Sequence, residues 1–111
     1  MPATKIPVLT LSIAAAAALG EHQAVGYDGN VATAAAAMKG LAISDAALGE
    51  QVAVDVLGTS IAIAGGVIAA GAELEVGAGG KLVTKAAGVA VARALQGAAA
   101  DGDLIEVMLL P

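Results

Sequence analysis

The chain reads as one β unit written twice. Gly20, Val25, Gly26, Gly29 and Thr33 recur in order as Gly71, Val76, Gly77, Gly80 and Thr84, and Gly49, Val52, Val54 and Val56 as Gly102, Ile105, Val107 and Leu109. Glycines in turns and apolar residues facing a core repeat where the backbone geometry repeats. No group with catalytic chemistry repeats with them, so the duplication specifies a scaffold. Neither half is long enough to bury a core alone, and the two copies, about residues 19–58 and 70–110, are expected to share one.

The local pattern is that of strands. Val52, Val54 and Val56 alternate with Ala53 and Asp55, and Ile105, Val107 and Leu109 alternate with Glu106 and Met108, the period of half-buried strands. Further strands are expected at 22–26, 30–33, 41–44, 60–64, 73–76, 81–84 and 89–95. Tyr27-Asp28-Gly29-Asn30 and Gly77-Ala78-Gly79-Gly80 mark tight turns. The Ala runs at 14–18 and 34–37 favour helix but are too short to hold one alone, so single turns or loops suit them equally. The expected fold is all-β: a small barrel or sandwich of two similar halves, with residues 1–18 an extended N-terminal arm and 19–111 a single β domain. Pro7 places the arm at a sheet edge or outside the sheet.

Ala supplies much of the apolar content, and Tyr27 is the only aromatic residue. Small side chains lose little entropy on burial but bring little area, at roughly 25 cal/mol per Å². Such a core gives a marginal monomer, for which burial of a face against another copy or a larger partner is the natural remedy. The net charge is −5, with Lys5, Lys39, Lys81, Lys85 and Arg93 scattered, which provides neither a basic stripe nor an aromatic platform for nucleic acid. Absence of Cys removes disulfide and thiolate-metal frameworks and fits a reducing compartment. Lys5 followed by the apolar 6–20 segment has the outline of a secretory signal, but Pro7 interrupts it. The longest uncharged stretch, 56–72, is broken by four glycines and reads as strands and turns, so no membrane partner is expected.

Reactive groups are few. Gly79-Gly80-Lys81 falls short of a phosphate loop, because Glu75 stands at its first glycine and Leu82 at its magnesium ligand. His22 is the only imidazole, and no Ser or Asp is placed near it by sequence. Glu73 with Glu75, and Asp101 with Asp103, are carboxylate pairs without the ligand density of a calcium loop. No catalytic residue, cofactor or metal is therefore expected. The positions at which the copies diverge are Ala42 against Arg93, His22 against Glu73, and Asp55 against Met108. Arg93 stands in an apolar strand, either outward with its stem over apolar surface or as an interfacial charge facing an acidic partner. Tyr27 is a candidate anchor. The apolar arm residues Ile6, Val8, Leu9 and Leu11 are suited to adding a strand to an exposed sheet edge. With Tyr27 and Arg93 they form the candidate interface.

Several segments resemble the capsid cement, or head decoration, family of tailed phages. The likeness rests on Ala70 to Thr84, on Val91-Ala92-Arg93-Ala94-Leu95, on Gly102-Asp103-Leu104-Ile105-Glu106-Val107, and on the 40–50 segment, and it extends from about Leu19 onward. The resemblance implies a non-enzymatic β protein, made in the host cytoplasm, that binds the outer surface of an assembled head and stabilises contacts between major capsid protein subunits. It also implies self-association as a homotrimer or, alternatively, a homodimer. Two rival readings are a phage tail or baseplate structural subunit and a small hydrolase using His22.

Overall fold

The computed structural model describes residues 4–110; Met1–Ala3 of the expected arm and Pro111 lie outside the described residues. Eight strands follow one another: β1 (Pro7–Ala14), β2 (Ala24–Val25), β3 (Gly40–Ala42), β4 (Gln51–Ile63), β5 (Glu73–Val76), β6 (Leu82–Thr84), β7 (Ala92–Ala94) and β8 (Leu104–Leu109). They form a sheet in the order β2-β3-β4-β8-β7-β5-β6, with β1 also paired to β4. A parallel bridge between Ala64 and Leu82 returns β6 to the end of β4, so the sheet is a nearly closed barrel, as the all-β expectation required. Neither Ala run is a helix; both are spent in strand ends, turns and bends.

β4 organises the molecule. Its first part pairs with β1 and β3, and its second part with β8. The sequence reading put a break at Gly58, yet the strand runs through it with Gly58 at φ +91°. Residues five apart on a regular strand point to opposite faces. Across Gly58, however, Ser60 Oγ donates to Asp55 Oδ2 at 2.7 Å, so the strand changes face there. Val52 and Val54 consequently enter one core with Ala15, Leu19, Val25, Ala42 and Ala46. Ala62 and Ala64 enter a second, larger core with Leu74, Val76, Leu82, Ile105 and Val107.

The two halves repeat strand pairing as well as sequence. Thr10, Leu11 and Ile13 of β1 oppose Asp55, Val54 and Val52, as Thr59, Ser60 and Ala62 of β4 oppose Met108, Val107 and Ile105. On the other flank Leu41 and Ala42 oppose Asp55 and Val54, as Arg93 and Ala94 oppose Met108 and Val107. The counterpart of Arg93 is therefore Leu41, and not Ala42 as the spacing suggested. In the same way Ala24 pairs with Leu41 where Glu73 pairs with Arg93. His22 N–H donates to Ala42 O as Gly71 N–H does to Ala94 O, so His22 matches Gly71 rather than Glu73. Intervening loops of unequal length shift the offset, and only hydrogen-bond register reveals it.

One residue departs from its expected orientation. Asp55 was expected to face outward; it is 1% exposed. The sheet face carrying Ala24, Leu41 and Asp55 forms a wall against the larger core, which also contains Ala24 and Leu41. A buried carboxylate is tolerable only when hydrogen-bonded, and Asp55 accepts from Lys5 Nζ at 2.8 Å, Thr10 Oγ1 at 2.9 Å and Ser60 Oγ.

Candidate functional site

The N-terminal arm is an edge strand. β1 pairs only with β4 among the described residues, with irregular register on either side of Leu9, so its other edge carries backbone donors and acceptors without a strand partner. Ile6 and Val8 are 73% and 76% exposed, and Leu9 and Leu11 are also exposed. Val8, Leu9 and Leu11 on one edge strand, with Ile6 just before it, put four large apolar side chains along an open sheet edge, an uncommon surface for a β protein. The arm is held by Lys5 and Thr10 on Asp55, by Thr59 N–H donating to Ile6 O at 3.0 Å, and by Ile6 N–H donating to Thr59 Oγ1 at 2.6 Å. Burial pushes the Asp55 carboxyl up, but bonds from Lys5, Ser60 and Thr10, with the charge of Lys5, outweigh it and hold the group below its ordinary range.

Tyr27 is exposed at the rim of an apolar groove of about 450 Å³. Met38, Val56, Leu57, Val91 and Leu109 line it. Leu57 opposes Leu9 of β1, so the groove borders the arm and the structure brings Tyr27 toward the same region as Leu9. Arg93 lies elsewhere, on the outward row Thr59, Met108, Arg93, Glu73 that crosses β4, β8, β7 and β5. It is exposed, donates to Gly71 O at 2.9 Å, and stands 3.7 Å from Glu73 Oε2. Its acidic neighbour is thus in its own chain. Sequence reasoning passed over the apolar residues beside that row: Ile61 and Ile63 of β4, Leu104 of β8, and Leu95. Their signal was present, since the outward positions of alternating strands are apolar here instead of polar.

The reactive groups have structural partners. Glu75 accepts from Ala86 N–H at 2.6 Å and Gly88 N–H at 2.9 Å, and these bonds hold its carboxyl below the ordinary range. Asp103 accepts from Ala99 and Ala100 N–H, and Lys81 of the glycine turn meets Asp101 at 3.0 Å. Among the described residues His22 makes no side-chain hydrogen bond, and its carboxylate neighbour, Glu21, is 3.7 Å away. His22 occupies the left-handed region at φ 69°, where its counterpart Gly71 has φ 89°. His22→Gly is therefore expected to leave the fold intact and raise stability by up to about 1 kcal/mol, by relieving side-chain strain at positive φ. Urea unfolding checks it; a loss above about 1 kcal/mol would show that the imidazole has a packing or binding role that outweighs the strain.

No curated protein sequence matches the chain. Among solved structures, the fold is similar to the N base of head fiber gp8.5 of bacteriophage phi29, with a TM-score of 0.77 at 20% identity over 92% of this chain and 93% of that one. At that identity the likeness concerns the fold. The family model for phage cement proteins matches residues 3–109, nearly the whole duplicated unit and the arm with it. The chain belongs to the phage cement protein family.

Proposed function

We propose that the protein is a capsid decoration protein that binds the outer surface of an assembled phage head as a homotrimer and stabilises contacts between major capsid protein subunits. Family membership supports a structural role at the phage head. The observation that carries the finer reading is the arm: an unpaired edge with Ile6, Val8, Leu9 and Leu11 exposed, bordered by the groove under Tyr27. A strand from a shell subunit pairs there through backbone bonds, while alternate apolar side chains supply area. Binding only the assembled lattice stabilises that lattice by mass action, and copies joined in one oligomer gain avidity.

Mixing the protein with undecorated shells tests the proposal. The wild-type chain is expected to cosediment with them and raise their resistance to heat. Ile6→Asp with Val8→Asp, both at well-exposed positions, is expected to weaken binding by at least about tenfold, since each buried aliphatic side chain contributes about 1.5–3 kcal/mol. Wild-type protein that neither cosediments nor protects the shells would sink the reading.

A further inference from the structure

We infer that the outward face of β4, β8, β7 and β5 is the surface on which copies of this chain meet one another. Three observations lead there. On β8, Ile105, Val107 and Leu109 are buried, while Leu104 and Met108 are 49% and 40% exposed. The six outward residues of the β4–β8 ladder are Thr59, Ile61, Ile63, Leu104, Glu106 and Met108, with Ile63 directly opposite Leu104. Four of these six are apolar, and Leu95, also exposed, adjoins them through its N–H bond to Glu106 O. A sheet face meant for water alternates with polar residues.

The second observation is the register. In the first half the row Thr10, Asp55, Leu41, Ala24 runs across the sheet; its last three residues are buried, and Leu41 and Ala24 join the core built largely by the second half. In the second half the equivalent row is Thr59, Met108, Arg93, Glu73, and it ends in solvent. The chain therefore already packs this face of its unit against another copy of that unit once, internally. The occupant that fits the second such face is the same unit from another molecule.

Charge favours the same partner. With a net charge of −5, copies repel at most orientations. Arg93 and Glu73 lie side by side on this row, exposed and 3.7 Å apart, an arrangement that contributes little within one chain. Between copies, each offers a cation to the other's anion around the apolar strip. A closed ring sets Arg93 of one copy toward Glu73 of the next. This inference rests on the reading of the protein as a homo-oligomer and is independent of the shell.

Sedimentation velocity and light scattering on the isolated full chain test it. The wild type is expected at a multiple of the monomer mass, and Leu104→Glu with Met108→Glu at the monomer mass with an unchanged circular dichroism spectrum. If the double variant loses the fold, Leu104→Lys alone, at a half-exposed position, is expected to weaken association by at least about tenfold. Arg93→Glu and Glu73→Arg should each weaken association, and the two together should restore it. Ile6→Asp with Val8→Asp should leave the mass unchanged. A monomeric wild type, an oligomer that survives folded substitutions at Leu104 and Met108, or one dissociated by the arm substitutions would overturn the inference. A monomeric wild type that still binds shells would sink this inference and the trimeric state but leave the decoration role standing, and an oligomer that ignores shells would sink the decoration role alone.

Discussion

Asp55→Ala is expected to destabilise the chain by about 3 kcal/mol and to lower its melting temperature by roughly 10–20 °C. The substitution removes the one side-chain acceptor shared by Lys5, Thr10 and Ser60, which ties the arm to the far part of β4 beyond the backbone pairing of the two strands. Lys5 is partly exposed and recovers water, but the Ser60 hydroxyl is left buried without its acceptor. The effect should be uneven. Amide exchange should accelerate most along β1, which loses two of its anchors, and least in β7, whose strand partners β5 and β8 contain none of these residues. A uniform rise in exchange across the sheet would contradict the role of Asp55 as the fastening point of the arm.

The same residue fixes a pH dependence. The folded-state carboxyl titrates below its ordinary value, so its contribution is complete above the range in which the unfolded chain's Asp titrates and is lost as pH falls through the folded-state range. Stability should therefore drop more steeply below about pH 4 in the wild type than in Asp55→Asn, which has no proton to gain there. Urea midpoints measured from pH 7 to pH 3 compare the two slopes, and equal slopes would assign the acid sensitivity to other carboxylates.

Asp55 also marks the boundary of what was readable beforehand. The inward faces were legible, because Val52 and Val54, like Ile105 and Val107, alternate in a way that only a half-buried strand explains, and all four are buried. Gly49 and Gly102 were matched correctly and share nearly the same backbone, at φ 89° and 93°. What could not be read was the second face of each strand. Alternation says that Asp55 points away from Val54; it does not say that β4 changes face farther along and folds the second core over that side. Nor can spacing reveal register when loops differ in length, which is why Arg93 was set against Ala42 instead of Leu41. The candidate interface shows the same division. The exposure of Ile6, Val8 and Tyr27 followed from their local setting, whereas the apolar face at Ile63 and Leu104 exists only because two strands distant in sequence are paired.

Gly58→Val is expected to cost about 3–4 kcal/mol, from strain at positive φ for a β-branched residue together with overpacking. Gly58 has φ +91°, and a Cβ there would lie 2.6 Å from both Ile6 O and Val8 N, where the arm crosses the strand. Gly102 provides the control, since it has φ +93° but no heavy atom within 4 Å of its added Cβ. Valine at Gly102 should show the backbone cost alone, about 1–2 kcal/mol. The difference between the two measures how closely the arm is packed over the point at which β4 changes face. Removing residues 1–8 should then erase most of that difference, because the atoms that clash leave with the arm while the φ penalty remains. If instead Gly58→Val costs no more than Gly102→Val in the full chain, β1 does not lie against Gly58 in solution. The arm would then reach its partners from a detached state, and an ordered sheet edge would have no part in recognition.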